Sequence, residues 1–362
     1  MPSVLSRILI CRTDNIGDVV LTLPLAGYLK QRFPGVRIDM LCRAYAVPVV
    51  RCCEFIDRAL ALEEQDIDRL FEAGAYDTVI FAFPNRALGK AARRANVPRR
   101  VGTSHRLHHW INCNRLAHFS RVRSRLHEAQ LNFALLKPLG IDHIPALADI
   151  PALYGLRAPH LAAAQALADQ GKFNLIMHPK SNGNGREWPL QRYTELAERL
   201  RADAGMVIWI TGSPAEGELL AREAPALLAM PNVRNLCGRF DLAGLVALIG
   251  LADGLLASGT GPLHVAAALG RPTLGLFPPV EPIDPARWGA LGTRARSISA
   301  PQACASCSGA QTCVCMLAIS AAEVAQVVQE WRSAGHADAP AVPLVPTAPM
   351  APRPAAVLEP KP

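Results

Sequence analysis

Long apolar runs are missing from this sequence. No run approaches the roughly 20 residues that a membrane-spanning helix requires, so we expect no such helix. The first seven residues lack the extended apolar region of a secretion signal and lead directly into a stretch typical of a buried strand. The sequence therefore predicts a protein that stays in the cytoplasm.

A disulfide framework is not expected either, although the chain has ten cysteines, because no export signal accompanies them. Three cysteines lie in or beside apolar runs and are predicted to be core thiols: Cys11, Cys42 and Cys237. Four others form a late cluster with the spacing C-x2-C-x5-C-x-C: Cys304, Cys307, Cys313 and Cys315. This spacing could hold zinc or an iron–sulfur cluster. The second pair is too close for a standard zinc knuckle, so reduced structural thiols are the favoured interpretation.

Acidic residues are absent between residues 93 and 127, whereas the whole chain has a formal net charge of +8. This basic run contains nine arginines and five histidines. A solvated face explains scattered charges, but a long run of one sign that includes Trp110 fits a polyanionic partner at least as well. Nucleic acid, an anionic membrane and a phosphorylated glycolipid all match. Aromatic side chains are few in the run, which disfavours base stacking and hence nucleic acid.

Strand-like and helix-like runs alternate in two successive halves of the 362-residue chain. Such alternation predicts parallel sheets with right-handed crossovers, and the length predicts two domains. We expect an α/β protein whose doubly wound domains, residues 1–150 and 151–335, face each other across a cleft. Residues 336–362 are rich in proline and alanine and are predicted to form a disordered tail. Strands are predicted at 7–11, 36–42, 59–62, 78–82, 100–102, 173–178, 206–211, 254–257 and 272–277.

Three helices, a loop and a linker are also predicted. One helix is expected over residues 18–33, with Pro24 interrupting it one turn after its start. The basic run is expected to be a loop until a helix begins at residue 125 and continues to residue 139. Residues 140–159 contain several prolines and are interpreted as a linker. A single helix is expected over residues 216–228.

The segment 258–264, Ser-Gly-Thr-Gly-Pro-Leu-His, lies between a predicted strand and a predicted helix. Glycines let the backbone approach a ligand closely, and the N–H groups at a helix start favour an anion such as phosphate. A glycine turn before a helix is also a common connection between a strand and a helix in α/β proteins. The segment alone therefore indicates a phosphate site only weakly.

Two further loops follow predicted strands and carry polar side chains. In the first, Asp18 falls in the first turn of a helix, where it would serve either as a cap or as a general base facing the cleft. The second, residues 178–189, combines Lys180, Ser181 and Arg186 with two glycines, which suits a phosphate but also an ordinary surface loop. Glu216, after a third strand, would reach a ribose diol or simply face solvent.

These three loops together resemble the family 9 glycosyltransferases, the ADP-heptose:lipopolysaccharide heptosyltransferases. The similarity covers most of residues 7–335, and its strongest motifs are Gly-Asp-Val-Val at 17–20, Arg-Glu-Trp-Pro-Leu at 186–190 and Thr-Gly-Pro-Leu-His at 260–264. The resemblance implies a GT-B fold with two Rossmann-like domains, the first binding the acceptor and the second the nucleotide sugar. It implies an inverting transfer from ADP-heptose to the inner core of lipopolysaccharide, with no cofactor and no required metal.

Site residues follow from the resemblance together with the basic run. Asp18 matches the family's proposed catalytic base, and Glu216 matches its ribose-binding carboxylate. The residues expected to bind the ADP-sugar donor are Lys180, Ser181, Arg186, Glu216, Ser258, Thr260, Gly261, Pro262 and His264. Those expected to bind an anionic acceptor of the Kdo–lipid A type are Arg12, Asn15, Arg99, Arg100 and Arg106. We expect this acceptor to be met at the cytoplasmic face of the inner membrane, through peripheral contact, and we expect no nucleic-acid partner.

Gly259 departs from the family pattern, since many heptosyltransferases have aspartate before the Thr-Gly of the third motif. Alternative functions are therefore a family 9 transferase that uses another nucleotide sugar and a GT-B nucleotide-sugar epimerase or hydrolase. A non-catalytic nucleic-acid-binding protein is a further alternative, which the basic run alone would support.

Overall fold

The computed structural model describes residues 5–334 apart from 73, 170, 182, 184 and 304–312, so the predicted tail, Cys304 and Cys307 lie outside the described residues. Two six-stranded parallel sheets form the framework. The first contains β1 (Arg7–Cys11), β2 (Arg37–Cys42), β3 (Arg58–Ala61), β4 (Thr78–Phe81), β5 (Arg99–Thr103) and β6 (Arg115–Ala117). The second contains β7 (Phe173–His178), β8 (Met206–Ile210), β9 (Val233–Asn235), β10 (Gly254–Ser258), β11 (Thr273–Phe277) and β12 (Ala295–Ser299).

Both sheets have the same doubly wound topology. Their strand orders are β3-β2-β1-β4-β5-β6 and β12-β11-β10-β7-β8-β9, which is one order read from opposite ends. Each order reverses beside its first strand, between β1 and β4 and between β7 and β10. Ligands of open α/β sheets bind at such switch points, outside the carboxyl ends of the strands. The topology confirms the predicted fold and places the loops after β1, β7 and β10 where a ligand is expected.

Helices cover the faces of both sheets. In chain order they are α1 (Ile16–Val20), α2 (Leu23–Arg32), α3 (Val47–Arg51), α4 (Ile67–Leu70), α5 (Arg86–Arg94), α6 (Leu107–Asn112), α7 (Glu128–Phe133), α8 (Ala162–Gln165), α9 (Leu190–Leu200), α10 (Pro214–Glu223), α11 (Pro225–Leu228), α12 (Leu242–Leu251), α13 (Gly261–Ala268), α14 (Pro285–Trp288) and α15 (Ala321–Ala334). The central strands β1, β4, β7, β8, β10 and β11 are almost wholly buried, because helices lie on both sides of them.

Two predicted single helices are each divided in two. The helix expected over 18–33 is α1 followed by α2, and Pro24 lies in the first turn of α2, where its missing N–H costs nothing. The helix expected over 216–228 is α10 followed by α11, with Pro225 at the start of the second. In both cases the proline lies in the first turn of a new helix and does not interrupt a continuous one.

The basic run is not simply a loop, because it contains α6 and the edge strand β6. The helix predicted to begin at residue 125 begins at Glu128, where the side chain of His127 caps it. After Phe133 it continues as a 3₁₀ turn, Ala134–Leu139, that contains Pro138. The prediction therefore placed this helix correctly but made it three residues too long at its start.

The predicted linker at 140–159 includes an ordered 3₁₀ turn, Leu147–Leu153, across which the predicted domain boundary falls. This turn packs on α2, where a Cβ added to Gly27 would come within 2.1 Å of the Leu153 carbonyl oxygen. Glycine is thus required at position 27 for the close approach. Among the described residues no helix is long and apolar enough to cross a membrane.

Buried thiols account for most of the cysteines that the structure describes. Cys11 and Cys42 lie in the core, and burial raises the pKa of the Cys42 thiol to about 12. Cys237 is half-buried. The Sγ atoms of Cys313 and Cys315 lie 3.0 Å apart in the interior. Within the described part of the chain, no group of three or more histidine, cysteine or acidic residues is arranged to hold a metal ion.

Candidate functional site

A cleft of about 560 Å³ lies between the two sheets, at the carboxyl ends of their central strands. Its first wall comes from the loop after β1 and its second from the loops after β7, β8 and β10. The sequence-predicted residues that line it are Asn15, Asp18, Lys180, Ser181, Arg186, Glu216, Thr260, Gly261, Pro262 and His264. The structure therefore brings most of the predicted donor residues together with Asp18, although they come from separate domains.

Asp18 stands in the first turn of α1, where the helix dipole favours a carboxylate. Its Oδ1 accepts a hydrogen bond from the Arg12 guanidinium, while Oδ2 accepts none within the described part of the chain. The backbone carbonyl of Asp18 accepts a bond of 2.8 Å from Thr22 Oγ1, which fixes the end of the helix. The carboxylate is thus oriented by one oxygen and open to the cleft at the other.

Arg12 is buried and lies outside the cleft lining. Its Nε donates to Asp14 Oδ1 at 2.8 Å, and a terminal nitrogen that bonds Asp18 also lies 3.6 Å from Glu128 Oε1. The other terminal nitrogen donates to the Asn132 side chain at 3.3 Å. Arg12 therefore connects the loop after β1 to α7, a role that its sequence position alone did not indicate.

Glu128 is almost completely buried and pairs with three arginines, two of which are distant from it in the sequence. It pairs with Arg12, with Arg121, and across the domains with Arg287, whose terminal nitrogen lies 2.8 Å from Oε2. A buried carboxylate needs such partners, because an uncompensated charge in the interior is costly. The sequence reasoning missed Glu128 and Arg287, since neither belongs to a local motif.

The same ionic cluster changes the proton affinity of two members. Burial raises the pKa of Asp14 to about 6; the neighbouring Arg12 opposes this, while Asp18 reinforces it. Burial also lowers the pKa of Arg121 to about 9, and the positive charges of Arg12 and Arg287 add to the effect. Shifts of this kind arise where charges are concentrated away from water, which is a feature of functional sites.

Further contacts join the two domains beside this cluster. Arg287, just before the end of α14, donates to the Leu126 carbonyl at 3.3 Å as well as to Glu128. His127 Nδ1 accepts from the Ala129 N–H at 3.1 Å, so its Nε2 carries the proton and donates to the Gly289 carbonyl at 2.8 Å. Burial lowers the pKa of His127 to about 4, which fits this neutral, hydrogen-bonded state.

The loop after β7 is organised around a buried carboxylate, Glu187. Its Oε1 accepts from the backbone N–H of Ser181 at 2.9 Å and from the Ser181 hydroxyl at 3.2 Å. Its Oε2 pairs with Lys180. Lys180 is thus positioned at the cleft by an internal partner. Arg186 lines the cleft beside it.

The turn after β10 brings the two domains into direct contact. α13 begins at Gly261, and a Cβ added there would lie 3.0 Å from Ile16 Cβ of the first domain. A Cβ added to Gly17 would lie 2.9 Å from Cδ2 of His264. The starts of α1 and α13 therefore meet through two glycines, a closeness that side chains would prevent. Burial lowers the pKa of His264 to about 3.

Ser258 does not reach the cleft, although it was predicted to bind the donor. It is buried at the end of β10, where its hydroxyl accepts a hydrogen bond of 2.9 Å from the Trp188 backbone N–H. This bond connects the turn after β10 with the loop after β7. Ser258 thus holds two cleft loops together from behind.

Glu216 caps its own helix and also lies in the cleft lining. Its Oε2 accepts from the Ser213 N–H at 2.7 Å, and the Ser213 hydroxyl accepts from the Glu216 N–H at 3.2 Å, which makes a capping box. The residue also lines the cleft. His178 lies nearby, and burial lowers its pKa to about 4 although Glu216 and Glu187 act in the opposite direction.

Apolar side chains complete the second wall, and the sequence reasoning did not identify them. They come from the segment after β9, from the start of α12, from the end of β11 and from α14: Phe240, Leu242, Leu245, Phe277 and Trp288. No glycine turn or charged motif marks these positions. Only the topology, which brings the segment after β9 to the same sheet edge, would have indicated them.

The arginines predicted to bind the acceptor are not together. Arg99 begins β5, pairs with Asp77 at 3.1 Å, and is in register with Thr78, so it lies at the amino edge of the sheet. Arg100 donates to the backbone carbonyls of Asn112 and Val97. Along the strand, Arg99 is about 13 Å and Arg100 about 10 Å from the carboxyl end of β5, which faces the cleft edge. Arg106 is exposed immediately before α6, outside the cleft lining.

Comparisons with known proteins agree with this arrangement. The profile of glycosyltransferase family 9 (heptosyltransferase) matches residues 93–316. Lipopolysaccharide heptosyltransferase 2 of Escherichia coli (strain K12) is 25% identical over 308 residues, which cover 76% of this chain and 84% of that protein.

Solved structures show the same fold. The structure of E. coli ADP-heptose lps heptosyltransferase II aligns with a TM-score of 0.73 at 22% identity, covering 91% of this chain and 100% of that one. The E. coli heptosyltransferase WaaC with ADP aligns with a TM-score of 0.66 at 20% identity, covering 90% and 99% of the two chains. The fold is therefore GT-B, and the chain belongs to glycosyltransferase family 9 and is a glycosyltransferase.

Proposed function

We propose that this glycosyltransferase moves a heptose from ADP-heptose to the inner core of an anionic lipopolysaccharide precursor of the Kdo–lipid A type, with inversion at the anomeric carbon. The observation that carries the proposal is the position of Asp18, which faces a glycine turn and a cationic loop of the other domain across one cleft. Such a cleft separates a proton acceptor from a phosphate-binding wall, which is what glycosyl transfer needs.

The donor is proposed to occupy the second wall. Backbone N–H groups of Thr260 and Gly261 at the start of α13, together with Lys180 and Arg186, would stabilise the negative charge that grows on the departing diphosphate. Fixed positive groups of this kind can take the place of a metal ion. Glu216 would accept hydrogen bonds from the ribose, and the apolar residues around Phe240 would contact the base. The related WaaC structure was determined with ADP.

The proton transfer is proposed to occur on the first wall. Arg12 holds Asp18 Oδ1, so Oδ2 is free to take the proton of the acceptor hydroxyl as its oxygen attacks the anomeric carbon. Attack from the Asp18 side and departure of the diphosphate toward α13 put the two groups on opposite faces of the sugar. That geometry inverts the configuration. Asn15 and Arg106 stay proposed acceptor contacts. Arg12 acts through Asp18, which it holds, whereas Arg99 and Arg100 lie near the opposite edge of the sheet.

The acceptor class fits the excess of positive charge in the first domain. A Kdo–lipid A precursor is anionic and anchored in a membrane, and arginine pairs well with phosphate and carboxylate oxygens. We place the reaction at the cytoplasmic face of the inner membrane, with the protein in peripheral contact.

An assay of the full chain with ADP-heptose, UDP-sugars and GDP-sugars, each with and without a Kdo–lipid A acceptor, tests this proposal. We expect product only from ADP-heptose with acceptor, and stabilisation against heat by ADP-heptose. Consumption of donor at the same rate without acceptor would instead indicate a hydrolase or an epimerase.

A different donor sugar is the second candidate, and it is favoured by the environment of Gly259. A Cβ at this position would lie 3.0 Å from Phe277 Cε1, so the aromatic ring occupies the space that a longer side chain would need. An apolar ring that lines the cleft gives fewer hydrogen bonds to a sugar than an acidic side chain would. Transfer from another nucleotide sugar, at rates above those with ADP-heptose, would support this candidate.

A further inference from the structure

Four large apolar side chains are exposed in the first domain, close together in sequence. Three are on α6 and one follows β6: Leu107, Trp110, Ile111 and Val122 are exposed by 84%, 57%, 62% and 89%. We call these four residues the α6 surface. Exposed apolar side chains are ordinary when scattered, but several on one short segment indicate a binding surface.

α6 separates its inward and outward sides clearly. His109 and Asn112 are buried beneath it, and His109 Nδ1 lies 2.9 Å from the Thr103 carbonyl oxygen. Trp110 donates its indole N–H to the Ser104 carbonyl at 2.8 Å, and its ring lies 6.1 Å from that of His118. The only polar atom of the tryptophan side chain is therefore satisfied within the protein, while the ring stays exposed. The outward side of the helix is therefore apolar at Leu107, Trp110 and Ile111.

Positive charge surrounds this surface. Exposed cationic or titratable residues adjoin it in sequence on every side: His105, Arg106, Arg115, His118, Arg123 and Arg125. No acidic residue occurs between positions 93 and 127. Within the described part of the chain, Arg106, Arg123 and Arg125 form no salt bridge. Apolar side chains among cations match the interfacial zone of a bilayer that contains anionic lipids.

We propose that the α6 surface docks the protein on an anionic lipid bilayer, with these four side chains entering the headgroup region and the arginines meeting lipid phosphates. The inference rests on the proposed function, since it supplies the place where a membrane-anchored acceptor is met. α6 begins just after the carboxyl end of β5, at the sheet edge where the loop of Asp18 also starts. Docking there would bring the acceptor side of the cleft near the membrane.

The charges and apolar groups of the α6 surface favour a bilayer over a second copy of this chain or a nucleic acid. A second copy of this chain would place two arginine-rich surfaces against each other, which is repulsive. Nucleic acid would match the arginines but would leave Leu107, Ile111 and Val122 without apolar partners. A bilayer with anionic headgroups satisfies both kinds of group at once.

Co-sedimentation of the full chain with vesicles tests the proposal. Vesicles of phosphatidylcholine alone are compared with vesicles that contain phosphatidylglycerol, at low and at physiological salt. We expect binding to the anionic vesicles that weakens with salt. For the triple variant Leu107→Ser/Ile111→Ser/Val122→Ser, the affinity for anionic vesicles should fall by about tenfold or more. Arg123→Gln/Arg125→Gln should also lose about tenfold, because each arginine near an anionic surface adds to the affinity.

Matched controls come from the second domain. Val314→Ser/Leu161→Ser removes exposed apolar side chains, and Arg199→Gln/Arg222→Gln removes exposed charges, outside both the α6 surface and the cleft lining. Both controls should bind vesicles as the unchanged protein does. Equal binding by the α6 variants and the controls would overturn the proposal. Loss of DNA binding or of a dimer in the α6 variants, with no vesicle binding by any protein, would overturn it as well.

Activity measurements separate this proposal from the proposed function. With an acceptor that lacks acyl chains and no vesicles, the α6 variants should transfer sugar as fast as the unchanged protein. With the acceptor embedded in anionic vesicles, they should be slower by about the loss in binding. If no protein transfers heptose to either acceptor but the vesicle results hold, the proposed function fails while the docking surface stands.

Discussion

The two walls of the cleft are built in different ways. On the side of the first domain, buried and half-buried charged side chains are paired with one another, since Asp14, Asp18 and Glu128 share Arg12. On the side of the second domain, the loop in which Glu187 holds Lys180 is joined by a glycine turn, the start of α13 and apolar rings. A group that must accept a proton needs its orientation controlled by neighbours. A leaving diphosphate can be stabilised by backbone N–H groups, because these donate hydrogen bonds without gaining or losing a proton.

The largest effect is expected from the side chain proposed as the base. Asp18→Asn keeps the shape and removes the proton acceptor, so kcat should fall by about 10²–10⁴-fold. The donor binds the opposite wall, so the dissociation constant of ADP-heptose should stay nearly unchanged. Steady-state kinetics and calorimetric titration measure the two quantities.

Asp14→Asn is the matched control, since it removes a neighbouring carboxylate that also bonds Arg12. Its kcat should fall far less than that of Asp18→Asn. Similar losses in both variants, or near-normal turnover of Asp18→Asn, would refute the division of tasks between the two walls.

The next largest effect concerns the ionic cluster behind the first wall. Glu128→Gln leaves Arg12, Arg121 and Arg287 without their shared partner, so the free energy of unfolding should fall by about 3–5 kcal/mol. Urea denaturation measures it. The exposed pair Arg43–Glu63 gives the contrast, because Glu63→Gln should cost less than about 1 kcal/mol. Equal costs would mean that burial does not set the strength of the cluster.

Acid should change the stability of the protein in opposite directions through one residue of each wall. The pKa of His178 is lowered by burial to about 4, so the folded state binds fewer protons than the unfolded state between pH 4 and 6.5. Its contribution, about 3 kcal/mol, is complete above pH 6.5 and is lost as the pH falls toward 4. Burial raises the pKa of Asp14 to about 6, so that residue adds stability as the pH falls from 6 toward 3.8.

Unfolding free energies measured between pH 4 and 7.5 check these signs. His178→Gln should make the loss of stability in acid shallower, and Asp14→Asn should make it steeper. An unchanged slope in either variant would mean that the residue titrates alike in the folded and unfolded states.

A smaller effect, confined to catalysis, is expected where the walls touch. Gly17→Val would push α1 away from His264, since even a Cβ would lie 2.9 Å from its ring. A displacement of about 1 Å between the base and the donor can cost on the order of 10²-fold in kcat/KM. Gly171→Ala serves as the control, because its nearest neighbour lies at 3.6 Å. If both variants keep full activity, the contact between α1 and α13 does not align the walls.

Most of the fold was predictable because the central strands are apolar on both faces. β1, β7, β8, β10 and β11 appear in the sequence as continuous apolar runs. The edge strands β6, β9 and β12 were missed, because all three contain exposed polar residues and β6 and β9 have only three residues each. Their pairing depends on a neighbour that the local sequence does not reveal. α6 was missed for a related reason, since its apolar side chains point away from the core.

The site was predictable where function lies in a motif and unpredictable where it depends on distant residues. Asp18 and the turn at Gly261 follow strands and lie at the starts of helices, so their positions could be predicted from the sequence. Glu128 and Arg287 meet only because the domains pack together. Basic charge alone also misled: Arg99 was expected to bind an acceptor, whereas its partner Asp77 holds it at the amino edge of the sheet.

Parallel strands place every carboxyl end on one side of a sheet, so the loop of Asp18 and the segment leading into α6 share one edge. For an enzyme seated on a bilayer by that edge, the acceptor would arrive by lateral diffusion in two dimensions while the nucleotide sugar arrives from bulk water. The effective acceptor concentration is then a surface density. Diluting the acceptor with other lipids would slow the reaction, whereas adding buffer at constant lipid composition and constant nucleotide-sugar concentration would not.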